Sequence, residues 1–211
     1  MIDGLITLDC EQGSEEWLAA RLGIPTATGF ENIVTATGKK SASYIKYMAE
    51  LIEESILGGG DTFKSDFMER GNKLEPQARA AYEFLTGNDV IQVGGVYLNE
   101  DREVMVSPDG LIPNLKKGLE IKCPKMSTHI RYLLEGGVPS EYIIQVQANL
   151  WVTGYGTWDF VSYCPEYQKQ TLYLFTAQRD PILMKAFDKL IPEFIKTLKA
   201  YKSTEQIWTK N

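Results

Sequence analysis

Between residues 90 and 122 the chain abandons the helical spacing that precedes it. It breaks into short β-type runs, at 90–98, 103–107 and 118–123, separated by Asn-Glu-Asp and Pro-Asn turns. Runs this short predict a sheet with hairpin connections, which has to bury a face against helices. The helices are legible on both sides. Ser14 can cap one over 14–22, with Glu15 and Glu16 where the helix dipole favours acids, and Gly23 and Pro25 end it. Ser41 or Ser43 opens a second through Tyr44, Tyr47, Met48, Leu51 and Ile52, stopped before Gly58. Residues 67–85 read as a third helical stretch, with Leu74, Ala78, Ala81, Tyr82 and Leu85 on one side and a break expected between Gly71 and Pro76. Helical spacing returns at 128–134 and 141–152, strands are expected at 158–164 and 170–176 around Pro165, and a last helix at 181–201 is bent at Pro192. That helix carries Ile182, Phe187, Leu190, Ile191, Phe194, Ile195 and Leu198 in an apolar stripe. With no repeat and no linker in 211 residues, 1–211 is expected to form one domain of the α/β (α+β) class.

Composition narrows the function. No apolar run approaches the roughly 20 residues that span a bilayer, and the N-terminus lacks the basic start and apolar stretch of a signal peptide, so a cytoplasmic protein without membrane attachment is expected. Cys10, Cys123 and Cys164 are far apart and fit neither a disulfide framework nor a zinc spacing, which leaves free thiols. A net charge of -6 excludes a uniformly basic surface, and any nucleic-acid contact has to be local. Lys39, Lys40, Arg70, Lys73, Lys125 and Arg131 are candidates to line such a channel. Trp208 and the last helix could supply an interface, with core packing the commoner use of such residues.

The chemistry concentrates in Ser107-Pro108-Asp109-Gly110, followed after one turn by Gly118-Leu119-Glu120-Ile121-Lys122. Strand geometry points Glu120 and Lys122 to one face and Ile121 into the core, with its carbonyl directed sideways. Asp109, expected at the end of the preceding strand, can meet them. Two carboxylates and a carbonyl are hard oxygen ligands suited to Mg²⁺ or Mn²⁺. Lys122 could position or deprotonate a metal-bound water, or neutralise charge on phosphate as a cation. Taken separately, the pieces also read as an ordinary ion pair on a strand and a type I turn.

Together they resemble the PD-(D/E)xK nuclease superfamily, whose motif is an acidic residue at a strand end followed by Glu-x-Lys on the next strand. The flanks resemble, more specifically, the lambda exonuclease family, also called the YqaJ viral recombinase group. The similarity runs from Trp17 and Arg21-Leu22-Gly23-Ile24-Pro25-Thr26-Ala27-Thr28 through Gly71 to Glu75 and Ala78. It continues through the two acidic segments to Gln145-Val146-Gln147 and Trp151-Val152-Thr153-Gly154. The resemblance implies a restriction-endonuclease-like core with a mixed central sheet flanked by helices. It also implies an Mg²⁺-dependent exodeoxyribonuclease that resects linear duplex DNA 5′ to 3′ from 5′-phosphorylated ends.

What the resemblance implies for residues is specific. Asp109, Glu120, the Ile121 carbonyl and Glu75 hold the metal, and Lys122 assists. Glu75 can equally pair with Arg79 one helical turn on. Gln145 or Gln147 orients the lysine or touches DNA; two apart on a helix, they face different ways, and Gln145 is preferred as the catalytic one. Arg21 grips the 5′ phosphate through its fork of donors. Thr28 stands where the family usually has serine, with Thr26 a second candidate, and Ser107 is a further phosphate donor. His129, the only histidine, reads as structural or solvated. The family's homotrimeric ring, its single-strand annealing partner, and a phage or prophage origin in a bacterial host are implied in the same way. Two other readings remain. One is an endonuclease or nuclease-helicase accessory on the same fold, although three cysteines cannot supply the four ligands of an iron-sulfur relative. The other is a noncatalytic DNA-end-binding module.

Overall fold

The computed structural model describes residues 2–58 and 66–203. In chain order it contains β1 (Ile6–Leu8), α1 (Glu15–Arg21), a 3₁₀ turn (Ala27–Asn32), α2 (Tyr44–Leu57), α3 (Asp66–Thr86), β2 (Gly95–Tyr97), β3 (Met105–Val106), β4 (Gly110–Ile112) and β5 (Lys117–Lys122). Then follow α4 (Met126–Glu135), α5 (Ile143–Thr153), β6 (Thr157–Tyr163), β7 (Leu172–Gln178) and α6 (Pro181–Ser203). Trp208 lies outside the described residues. No helix among the described residues is long and apolar enough to cross a membrane.

The strands form two sheets rather than one hairpin sheet. β1, β2 and β3 make a small antiparallel sheet, and β4-β5-β6-β7 make a mixed one in which only β5 and β6 run parallel. The parallel pairing follows from α4 and α5, which lie between β5 and β6 in the chain and supply the crossover that parallel strands require. The run at 90–98 contributes only Gly95–Tyr97 as strand, while Ile91 bridges Leu111 across to the other sheet. The short strands β1 and β4 carry too few residues for a periodic signal.

α5 is buried on nearly all sides, from Ile144 through Thr153, and packs against β2 and β3 on one side and β5 and β6 on the other. A helix apolar all round belongs in a core, and this one joins the two sheets. The principal core gathers Phe30, Tyr44, Tyr47, Leu150, Trp158, Phe160, Phe187 and Phe194 around it. On the far face of the mixed sheet, α3 covers a smaller cluster of Ala78, Tyr82, Ile112, Leu119, Ile121 and Val161. Strand alternation in β5 therefore sends Leu119 and Ile121 toward α3, and Glu120 toward α5.

The break expected between Gly71 and Pro76 is corrected. α3 is continuous through Pro76, and α6 likewise runs on through Pro192. A proline inside a helix removes one hydrogen bond and crowds the carbonyl four residues back, at about 3 kcal/mol. Burial of Leu74, Ala78 and Tyr82 in one helix, and of Leu190, Ile191, Phe194 and Ile195 in the other, offsets that cost, since fully burying one large apolar side chain contributes roughly 1.5–3 kcal/mol.

Candidate active site

Asp109 leads β4 instead of ending β3, which corrects the sequence expectation. Its N–H donates to the Leu119 carbonyl, and β4 then pairs antiparallel with β5. The tight Pro108-Asp109-Gly110 entry brings the Asp109 carboxylate beside β5, where Oδ2 accepts the Ile121 N–H at 2.6 Å. Glu120 is 1% exposed and faces α5. Its Oε1 lies 2.6 Å from the Lys122 ammonium and accepts the Gln145 amide at 2.6 Å, while Oε2 accepts the Asn149 amide at 3.2 Å. The Lys122 ammonium also lies 4.9 Å from the centroid of the Tyr142 ring, which stacks on Phe160.

A cavity of about 420 Å³ opens on this group, with Asp109, Ile121, Lys122 and Glu75 in its wall. Glu75 is ion-paired with Arg79, one helical turn on, and also lines the cavity. A smaller cavity of about 190 Å³ shares Tyr142 with the larger one and is lined also by Thr28, Glu141 and Gln145. Among the residues the sequence reading did not single out are Asn149 and Tyr142. Asn149 was within reach, because it falls four residues after Gln145 on an expected helix.

The electrostatics of the group are those of crowded acids around one cation. Burial, then the charges of Glu120 and Glu75, push the Asp109 carboxyl well above the usual carboxylate range, against the pull of Lys122 and the Ile121 N–H. Burial also raises Glu75, which Arg79 and Lys122 oppose. Burial alone would lower the Lys122 ammonium, but Glu120 and Asp109 outweigh it and hold it above its ordinary value. The neighbouring Cys123 thiol is pushed up to about 12 by burial and by Glu75 and Asp109. The acids around Lys122 thus favour its charged form.

Among the described residues no three acidic, histidine or cysteine side chains converge as a metal cage. The donor set nevertheless fits magnesium, which keeps several waters and is held through one or two carboxylates and substrate phosphates rather than by an all-protein shell. The charges of Glu120 and Glu75, which add to burial in raising Asp109, are ones that a bound divalent cation would offset.

A second group lies where α1 meets the small sheet. The Arg21 guanidinium sits 4.1 Å above the Trp17 ring and donates to Ser107 Oγ at 3.2 Å. The Trp17 indole N–H donates to the same Oγ at 3.1 Å and to the Gly94 carbonyl at 2.8 Å. Ser107 thus spends both lone pairs on Trp17 and Arg21, which leaves its hydroxyl proton available as a donor. Burial lowers the Arg21 pKa from its ordinary value, with Tyr47 and Glu54 opposing. The Thr26 and Thr28 hydroxyls lie 3.3 Å apart on the following loop.

Other residues named from the sequence have partners within the fold. Gln147, expected from the resemblance to touch DNA, is buried; its amide donates to the Gln178 carbonyl and accepts the Asp180 N–H, each at 2.8 Å, so it ties β7 to α6. Arg70 is bonded to Glu166 and to the carbonyls of Cys123 and Pro124, a clamp on the end of β5. Arg131 pairs with Glu135 and Glu141. Lys40 lies over the Tyr44 ring and 4.0 Å from Glu193. His129 is fully buried, with Nε2 on the Gln170 carbonyl at 2.9 Å and Nδ1 on Ser162 Oγ at 2.7 Å, a structural histidine.

Comparison with known proteins agrees with this geometry. The family model for the YqaJ-like viral recombinase domain matches residues 16–156, more than half of the chain. The chain is 35% identical to an alkaline exonuclease, LHK-Exo from Laribacter hongkongensis. That superposition covers 90% of this chain and 94% of the other at a TM-score of 0.79, and the figures are the same for LHK-Exo in complex with dAMP. A phage related exonuclease from Haemophilus somnus is 16% identical, covers 85% of this chain and 96% of its own, and at a TM-score of 0.64 shares the fold. A stretch of 61 residues, 29% of this chain and 70% of the relative, is 34% identical to ExoD of Escherichia coli. The mixed sheet with helices on both faces, entered by Asp109 and carrying Glu120 and Lys122, is the PD-(D/E)xK core. The chain belongs to the family of YqaJ-like viral recombinases.

Proposed function

We propose that this chain is a magnesium-dependent exodeoxyribonuclease that resects linear double-stranded DNA in the 5′ to 3′ direction and leaves a 3′ single-stranded tail. The observation that carries the reading is the opening of one cavity on Asp109, Glu75 and Lys122, with the buried Glu120 carboxylate against the Lys122 ammonium, in a chain that resembles an exonuclease over nearly its whole length.

Mg²⁺, or Mn²⁺ in its place, would be held by Asp109, Glu120, the Ile121 carbonyl and Glu75. When bound it supplies charge stabilisation at the scissile phosphate and a more acidic attacking water. Lys122 places a positive charge where negative charge develops on the phosphate oxygens. Gln145 fixes the Glu120 oxygen that faces Lys122. Arg21, the Ser107 hydroxyl and the Thr28 hydroxyl are assigned to the 5′ phosphate. Family membership supports a ring-shaped homotrimer and a single-strand annealing protein that receives the tail.

The test compares linear duplex carrying 5′-phosphate or 5′-hydroxyl ends with covalently closed circles, each with and without Mg²⁺. Faster loss of phosphorylated ends and intact circles are expected. Cleavage of circles identifies an endonuclease, and absence of any metal-dependent cleavage favours a noncatalytic end-binding module.

A further inference from the structure

Asn149 lies one turn beyond Gln145 on α5 and is fully buried. Its amide nitrogen is 3.2 Å from Glu120 Oε2, and its own Oδ1 has no hydrogen-bond partner. Turning the amide over would set Oδ1 against a carboxylate oxygen, so the orientation that donates to Glu120 is the only attractive one. A buried, unpaired carbonyl oxygen is unfavourable and uncommon enough to need a reason. Here the reason is the bond on its other side.

The division of labour on Glu120 is uneven. Each carboxylate oxygen can accept about two hydrogen bonds. Oε1 has two, from Lys122 and Gln145, whereas Oε2 has one, from Asn149. The free lone pair of the carboxylate is therefore on Oε2. The terminal torsion of a glutamate is broad and roughly two-fold, so the carboxylate plane is set by its partners and not by its own rotamer. Gln145 and Lys122 pin one oxygen; only a donor on the other fixes the plane.

We infer that Asn149 is a positioning residue of the active site, holding Glu120 Oε2 so that its remaining lone pair is presented to a divalent cation. The inference rests on the metal-site reading above. Hydrogen-bonded partners of metal-ligating carboxylates commonly influence metal affinity by about 10–100-fold.

The experiment is Mn²⁺ binding to the full chain without DNA, followed by the electron paramagnetic resonance of free Mn²⁺, with thermal unfolding measured in parallel. Asn149→Leu, which matches the volume and lacks the donor, is expected to bind Mn²⁺ about 10-fold more weakly, while Asn149→Ser, which keeps a short donor, retains most of the affinity. In a Glu120→Gln background Asn149→Leu should add nothing further, because the two residues act as one unit. Folded Asn149→Leu with wild-type Mn²⁺ affinity overturns the proposal. If Asn149→Leu does not fold, Asn149→Ala is compared with Asn149→Ser, and equal affinities overturn it. Should Glu120→Gln itself bind Mn²⁺ like wild type, the metal-site reading fails and the role of Asn149 with it; if Glu120→Gln weakens binding and Asn149→Leu does not, only the role of Asn149 fails.

Discussion

The ammonium of Lys122 rests 2.6 Å from Oε1 of Glu120, on a carboxylate that is 1% exposed, so the central cation of the site is also the counter-charge of a buried acid. Removing one partner of a buried pair leaves an uncompensated charge and typically costs about 3–5 kcal/mol. Lys122→Met should fall near or below the lower end, because Gln145 and Asn149 still donate to Glu120. Urea unfolding of the variant against wild type measures this. A variant as stable as wild type would show that the pair contributes no net stability.

Arg21 and Ser107 share a hydrogen bond beside Trp17, and the guanidinium fork is the assigned anchor of the 5′ phosphate. Arg21→Lys keeps the charge and loses the fork. A charge-assisted hydrogen bond contributes roughly 1.5–3 kcal/mol, so the preference for 5′-phosphorylated over 5′-hydroxyl ends is expected to shrink by about 10-fold or more. The ratio of kcat/KM values on the two ends checks it; an unchanged ratio removes Arg21 from phosphate recognition.

Gly29 sits under the Tyr47 phenol, where an added Cβ would lie 1.9 Å from the hydroxyl oxygen and 2.4 Å from Cζ. That hydroxyl accepts the Thr26 N–H at 3.4 Å, and burial pushes its pKa up to about 12. Gly29→Ala must displace Tyr47 or the Thr26–Thr28 loop, at about 1–3 kcal/mol for overpacking. Denaturant unfolding reports the loss. A neutral substitution would mean that the loop gives way freely.

The ion pair of Arg70 with Glu166 predicts a pH dependence. Glu166 is held at about 2, chiefly by its hydrogen bonds from Arg70 and then from Cys164, below its ordinary unfolded value. Its stabilisation is therefore present above the unfolded pKa and lost as pH falls through the folded one, between about pH 5 and 2. The Glu166 side chain is 49% exposed, so solvent screening keeps the contribution below about 1 kcal/mol. Melting temperatures of wild type and Glu166→Gln should differ at pH 7 and converge toward pH 2. A gap that stays constant over that range contradicts this.

What the sequence could reveal followed from periodicity and local chemistry. Ser14 caps α1 through the Trp17 N–H as its position promised, and the two-residue repeat in Glu120-Ile121-Lys122 put acid and ammonium on one face. Pro76 misled because a local penalty was set against burial that only the mixed sheet creates. Gln147 misled because motif spacing does not say which side of a helix is covered: Gln145 meets Glu120, while Gln147, two residues on, turns toward the β7–α6 junction. Asp109 was placed on the wrong strand because β4 is three residues long, below any periodic signal. Arg70 could not be sorted by sequence, since its partner Glu166 lies 96 residues away, whereas Arg131 pairs with Glu135 one helical turn on.

The most direct test is release of mononucleotides from linear, 5′-phosphorylated duplex DNA by wild type and Lys122→Ala, in saturating Mg²⁺ and in chelator. The account predicts Mg²⁺-dependent release by wild type, none in chelator, and a rate at least about 10²-fold lower in the variant, the usual effect of removing one group that stabilises developing charge. Equal rates for the two proteins, or digestion that survives chelation, would contradict it.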